Sequence, residues 1–140
     1  MHNIIAILSL IFFTFVPYSN NQVKLEISTS QKQFKPAARG EILFRFTPVE
    51  GIHINTDPPI AIDFEKNPNI EFIGVSNVAT DEHGYVNTKK TLAYKIRIKK
   101  ETGAGTYTVK GKIQYFFCSE KDGVCNKADE KIEVKIIVAK

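Results

Sequence analysis

From residue 23 onwards, apolar and polar residues alternate in run after run, and this period of two restricts the fold more than any other feature. The pattern is typical of β-strands that bury one face and expose the other. No run in this region has the apolar spacing of an amphipathic helix. The sequence therefore predicts an all-β domain. The apolar members of the runs are Val23, Leu25, Ile27; Ile42, Phe44, Phe46; Leu92, Tyr94, Ile96, Ile98; Tyr107, Val109, Ile113, Tyr115, Phe117; and Ile132, Val134, Ile136, Val138.

Glycine, proline and asparagine residues typical of turns separate these runs. About seven or eight short strands joined by such turns predict an immunoglobulin-like antiparallel β-sandwich, with a small barrel as the structural alternative. A chain of 140 residues accommodates one such domain, which we place at residues 23–140. The predicted turns lie at residues 35–40, 57–59, 66–69, 102–105 and 121–123.

Residues 1–22 have the composition of a secretory signal peptide. An apolar run that ends near Val16 is followed by Pro17 and then by polar residues, which is the order found in such leaders. We predict a signal helix here, either cleaved or kept as an anchor. The protein is therefore expected to be periplasmic or secreted.

The charge pattern argues against several classes of function. Lys and Arg outnumber Asp and Glu by 19 to 15, but the two signs are interspersed along the chain, so nucleic-acid binding is not supported. The sequence shows no recognisable Ser-His-Asp or paired-carboxylate motif, which leaves hydrolysis without support. We predict neither a cofactor nor a small-molecule substrate.

Cys118 and Cys125 are the only cysteines, and an exported protein is expected to oxidise such a pair. Their bond would close a loop of only eight residues, for which chain entropy gives about 2.5 kcal/mol of stabilisation. Structural bridges in immunoglobulin-type sandwiches usually join distant strands instead. We expect the pair at the facing ends of neighbouring strands, at a rim that a partner's thiolate can reach.

Flanking charges favour Cys125 as the nucleophile of this pair. Lys121 and Lys127 lie close to it in sequence, and a nearby ammonium group stabilises a thiolate. Cys118 instead follows Phe117 and precedes Glu120, an apolar and an acidic neighbour that oppose ionisation.

Metal binding by the two thiolates with His53 or His83 is an alternative. The spacing of these residues matches no familiar zinc pattern, so we predict no metal. We expect His53, between two isoleucines in a strand, to face water.

Residues 76–91 form the longest stretch without strong alternation. A loop of this length in a compact domain is often functional, so it is a candidate for covering a site. A plain surface hairpin is the alternative.

Two motifs resemble the N-terminal domain of DsbD-type thiol:disulfide interchange proteins. The first is Gly51-Ile52-His53-Ile54-Asn55 followed by Pro58-Pro59, and the second runs from Gly111 through Tyr115-Phe116-Phe117-Cys118 to Cys125. The resemblance covers essentially all of residues 23–140.

This resemblance implies an immunoglobulin-like fold, a periplasmic location and a redox-active cysteine pair. Cys118 and Cys125 would exchange disulfides with thioredoxin-fold partners, and the second cysteine would form the mixed disulfide. Asp81, Glu82 and Tyr85 would correspond to the family's cap loop, which shields the cysteines until a partner docks.

The chain departs from the family pattern in two respects. Six residues separate the cysteines, and Asn126-Lys127-Ala128 follow the second, where the family has a shorter spacing and a proline pair. Residues 1–140 also contain none of the family's membrane-embedded or thioredoxin-like parts, so a separate thioredoxin-fold or membrane protein would supply electrons. We predict a thiol–disulfide exchange domain, with a non-enzymatic immunoglobulin-like binding module carrying a structural disulfide as the alternative.

Overall fold

A computed structural model describes residues 21–140 of the chain. In this part the chain forms eight strands and no helix, so the predicted all-β architecture is confirmed. The first 20 residues, which hold most of the predicted signal helix, lie outside the described residues. Residues 21–140 contain no helix of the length and apolarity that a membrane span requires. The strands are β1 (Val23–Thr29), β2 (Arg39–Pro48), β3 (Ile52–Ile54), β4 (Ala61–Phe64), β5 (Ile70–Val75), β6 (Leu92–Ile98), β7 (Gly105–Ser119) and β8 (Cys125–Val138).

The strands form two antiparallel sheets that pack as an immunoglobulin-like sandwich. The first sheet has the order β1-β2-β6-β5. In the second sheet β8 pairs with β7 along nearly its whole length, while β3 and β4 pair with different parts of β7. Since a strand has two edges and β8 occupies one of them, β3 and β4 share the other.

The core lies between the sheets, and the predicted alternation places its side chains there. Along β7, Val109, Ile113, Tyr115 and Phe117 are buried. The Tyr115 ring meets the Phe46 ring of the first sheet edge to face, with centroids 5.2 Å apart. Aromatic pairs of this kind stabilise a core beyond the area that they bury.

Turn residues lie between strands, as predicted. The turns at residues 57–59, 66–69 and 121–123 fall wholly between strands, whereas the predicted turns at 35–40 and 102–105 run into the starts of β2 and β7. The β7–β8 turn matters most for the site. Gly123 adopts a positive φ of 68° there, a conformation that glycine accepts without steric cost, and its N–H donates to the Ser119 carbonyl at 2.9 Å.

Candidate functional site

The disulfide between Cys118 and Cys125 joins the facing ends of β7 and β8. The two residues are the last pair in the β7–β8 register, and their Cα atoms lie 4.0 Å apart. Because Phe117 points into the core and successive side chains of a strand alternate, Cys118 and its partner lie on the outer face of the second sheet. The predicted position at the strand ends is therefore correct.

The two cysteines differ in exposure although they are bonded to each other. Cys118 is only 6% exposed, whereas Cys125 is exposed. A side chain on the outer face of a sheet is normally in contact with water, so something must cover Cys118. The segment between β5 and β6, residues 76–91, which we call the cap loop, brings His83 and Tyr85 to the same cleft that Cys118 lines.

The cap loop is anchored to β3 and to the residues that follow it. The Val86 N–H donates to the Ile54 carbonyl at 2.9 Å, and the Val86 side chain is buried as part of the core cluster. The Thr56 hydroxyl donates to the Gly84 carbonyl at 2.9 Å. These contacts hold the loop over the end of the second sheet that carries the disulfide.

Asp81 shapes the tip of the cap loop. Its Oδ1 accepts hydrogen bonds from the backbone N–H groups of His83 at 2.9 Å and Tyr85 at 3.0 Å. Gly84, inside this turn, has a φ of +81°, which a residue with a side chain adopts only with strain. The role of Asp81 in this structure is to fix the turn that presents Tyr85.

Tyr85 covers the site by stacking on His53. The two ring centroids are 3.6 Å apart with an interplanar angle of 25°, and His53 lies directly opposite Cys118 in the β3–β7 register. The His53 side chain is 16% exposed, with Nδ1 lying 3.8 Å from Oε1 of Glu120. The prediction that His53 faces water is wrong, because a residue distant in sequence lies over it.

Glu82 does not take part in covering the cysteines. Its side chain is 86% exposed, and Oε1 lies 3.4 Å from Nε2 of His83. Of the three predicted cap residues, Tyr85 therefore lies at the site, Asp81 builds the loop, and Glu82 faces solvent.

The cap loop and the β7–β8 turn border an open cleft of about 720 Å³. Both cysteines line it, so the disulfide forms part of its wall. The side chains and backbone around the cleft belong to His53, His83, Tyr85, Cys118, Ser119, Glu120, Gly123 and Cys125.

Asn55 also belongs to the site, although the sequence analysis assigned it no role. Its Nδ2 donates a hydrogen bond to Cys118 Sγ at 3.0 Å. A signal was present in the sequence, because Asn55 lies two residues after His53 and a strand of period two puts both on one face.

Lys127 is less free to act on Cys125 than its sequence position suggests. Lys127 Nζ lies 3.5 Å from Oδ2 of Asp129, so its charge is shared with a carboxylate. A hydrogen bond from Gln114 lowers the pKa of Asp129, and the Lys127 charge adds to this effect. Lys127 is therefore less able to stabilise a thiolate on Cys125 than its place in the sequence predicts.

Among residues 21–140 there is no group of three or more histidine, cysteine or acidic side chains that could hold a metal ion. The two sulfurs are bonded to each other, and metal ligation requires free thiolates.

No protein-family model matches the chain, and no curated protein matches it in sequence. Among solved structures, the crystal structure of a yeast GGA1 GAE domain superposes with a TM-score of 0.46 and 5% sequence identity, covering 84% of this chain and 96% of that chain. This likeness says nothing about function.

An oxidised cysteine pair in a β-sandwich fits a structural disulfide, which is the alternative function that the sequence predicts.

Proposed function

We propose that this protein is a periplasmic or secreted thiol–disulfide exchange domain that reacts through Cys125 with a thioredoxin-fold partner. The observation that carries the proposal is the inequality of the two sulfurs: Cys125 is exposed, while Cys118, which lines the same cleft, is only 6% exposed. A thiolate must approach a disulfide along the sulfur–sulfur axis. Attack on the exposed sulfur meets the smaller steric barrier.

The exchange proceeds in two balanced steps. A thiolate of the reduced partner attacks Cys125 Sγ, a bond forms between those two sulfurs, and the electron pair of the broken disulfide leaves on Cys118 Sγ. The partner's second thiolate then attacks the partner sulfur of the mixed disulfide and releases the Cys125 thiolate. This protein gains two electrons, the partner becomes oxidised to a disulfide, and the thiolates take up protons from water. The reverse sequence oxidises this protein again.

The cap loop supports the proposal, because a redox-active pair needs protection from unrelated thiols. Tyr85 shields the buried side of the pair through its stack on His53. The cover depends on a few contacts from one loop, so a docking partner can displace it without disturbing the two sheets. The resemblance to the DsbD N-terminal domain, with its cap loop, is in accord with this arrangement.

The second candidate is a binding module whose disulfide is structural. Cys118 is buried and bonded, which is the state that a structural bridge keeps permanently. In that case the bond serves to hold the β7–β8 turn, and the cleft binds a partner without redox chemistry.

The reduction potential of the pair separates the two functions. Structural disulfides of secreted proteins lie below about −300 mV, so we expect a higher potential, measured by equilibration with glutathione or thioredoxin buffers. We also expect the reduced protein to stay folded and to lose no more than about 2.5 kcal/mol of unfolding free energy. A potential below that limit, or unfolding on reduction, establishes the structural role.

Trapping experiments test which sulfur is attacked. In a Cys118→Ser variant the exposed Cys125 remains, and we expect its thiolate to form a stable mixed disulfide with a thioredoxin-fold protein that lacks its resolving cysteine and carries thionitrobenzoate on the remaining one, with thionitrobenzoate as the leaving group. The matched Cys125→Ser variant keeps only the buried Cys118 and should form little of this product. Equal trapping by both variants would remove Cys125 from its proposed role.

A further inference from the structure

Asn55 is placed against the buried sulfur by the backbone of β7. Its N–H donates to the Phe116 carbonyl at 2.9 Å, which continues the β3–β7 pairing by one residue. The side chain then lies on the outer face of the sheet, where Nδ2 reaches Cys118 Sγ at 3.0 Å. The position of this amide donor is therefore set by the sheet and not by a mobile loop.

The other end of the same amide lacks a hydrogen bond. Asn55 Oδ1 is buried and has no hydrogen-bond partner among residues 21–140. A buried polar atom left without a partner costs roughly 1–3 kcal/mol, and a neutral sulfur is only a weak acceptor. In the oxidised state, then, the Asn55 amide gains little from the sulfur to offset the cost of its buried Oδ1.

A negatively charged sulfur changes that balance. Hydrogen bonds to an ionised acceptor are roughly twice as strong as those between neutral groups. Cys118 carries such a charge only after the disulfide opens and its sulfur leaves as a thiolate. The Asn55 amide therefore forms its strongest hydrogen bond to Cys118 after exchange has opened the disulfide.

We propose that Asn55 is a catalytic residue of the exchange reaction, whose Nδ2–H donates to Cys118 Sγ and stabilises the thiolate as it leaves. This inference rests on the proposed function, in which Cys125 is the sulfur attacked. A hydrogen bond to the charged form of a group lowers its pKa, and a thiol of lower pKa leaves a disulfide faster.

The pKa of Cys118 in a Cys125→Ser background tests the proposal directly. The pKa is followed through the ultraviolet absorbance of the thiolate, which requires no partner protein. Loss of the donor in Asn55→Ala should raise it by about one unit, a tenfold loss of thiolate. Asn55→Asp should raise it further, because a carboxylate also repels the thiolate. The other titratable groups that border the cleft are His53 on β3, His83 and Tyr85 on the cap loop, and Glu120 on the β7–β8 turn, and they are unchanged in every variant.

Asn67→Asp is the matched control. The Asn67 side chain accepts a hydrogen bond from the Asn69 N–H at 2.9 Å, which a carboxylate can also do. Its turn meets β7 near Lys110, eight positions and roughly 26 Å along the strand from Cys118. The same change of charge at Asn67 should therefore leave the pKa of Cys118 where it was.

Reduction of the oxidised full chain by dithiothreitol gives a second readout. We expect Asn55→Ala to slow it about threefold, since rates of exchange follow sulfur pKa with a coefficient near one half. If substitution at Asn55 unfolds the domain, the nitrogen chemical shift of the Asn55 side-chain amide in the Cys125→Ser protein should titrate together with Cys118.

These measurements can refute the role of Asn55 without refuting the proposed function, and the reverse also holds. An unchanged Cys118 pKa in folded Asn55→Ala and Asn55→Asp, or an amide signal that ignores the titration, overturns the role of Asn55 even if partners are trapped. The expected pKa shift and slower reduction support that role even if no thioredoxin-fold protein reacts.

Discussion

The inner and outer faces of β7 bury neighbouring residues in different ways. Phe117 points inward and is 1% exposed, and Cys118 points outward and is 6% exposed. Phe117 is covered by the opposite sheet, whose inward-facing side chains are set by the same alternation as those of β7. Cys118 is covered by the cap loop, which has no periodic pattern. Similar exposures therefore have different energetic origins.

The inner face is held by many side chains and the outer cover by few contacts. Around Phe117 lie core residues from both sheets. Beyond its anchor at Val86, which is buried in the core, the tip of the cap loop is held to the rest of the molecule by the Thr56 hydroxyl and the stack of Tyr85 on His53. Regions with few buried contacts open at low free-energy cost, independently of global unfolding. The cover of the disulfide can thus open while the sandwich stays intact.

The largest expected effect comes from comparing alanine substitutions at two adjacent phenylalanines, one on each face of β7. Phe117→Ala leaves a cavity in the core and should lower the free energy of unfolding by about 3–5 kcal/mol. Phe116 lies on the outer face and is only half-buried, so Phe116→Ala should cost clearly less, about 1 kcal/mol. Urea denaturation of both oxidised variants measures the difference.

Equal losses in the two variants would contradict the comparison, since they would mean that the outer face near the disulfide is as firmly packed as the core. The slope of unfolding free energy against urea serves as a check, because a variant with an altered slope has changed more than its packing.

A smaller effect is expected when the outer cover is removed at Tyr85. Loss of the ring stack, roughly 1 kcal/mol, should raise the alkylation rate of the reduced Cys118 about fivefold in Tyr85→Ala. Glu82→Ala removes a cap-loop side chain that faces solvent and should leave the rate unchanged. Labelling with iodoacetamide under native conditions, followed by mass spectrometry, gives both rates.

Tyr107→Ala tests whether the effect is local. Tyr107 lies near the start of β7, where its hydroxyl donates to the Gly103 carbonyl at 2.7 Å, at the far end of the strand from Cys118. Faster labelling in this variant as well would show that general loosening controls access to the cysteines, and the cap loop would lose its proposed role.

The sequence predicts one face of this molecule much better than the other. The alternation identifies the residues that face the core, because both sheets obey the same period. The cysteine pair and the turn between its strands also follow from local sequence. The burial of Cys118 and the stack on His53 do not, since they depend on where residues 76–91 come to lie. That placement results from contacts between segments far apart in the chain, which leave no local pattern.

The smallest expected effect concerns Tyr94, which lies on the inner face but at a half-covered margin. It packs with Phe64 and Phe72, whose rings stack with centroids 4.5 Å apart. Burial raises the pKa of Tyr94, and the charge of Asp63 raises it further. A tyrosine whose pKa is higher in the folded than in the unfolded state gives its full stabilisation below the unfolded pKa of about 10. That stabilisation is lost as the pH rises through the folded pKa.

Thermal unfolding between neutral and strongly alkaline pH tests this sign. The melting temperature of Tyr94→Phe should fall less than that of the wild type above about pH 10, because the substitution removes the ionisable group and keeps the ring. Tyr107→Phe is the matched control and should follow the wild type. If all three proteins lose stability in parallel, the hydroxyl of Tyr94 is as accessible to water as side chains on the outer face. Partial coverage at the edge of the inner face would then have no measurable effect on stability.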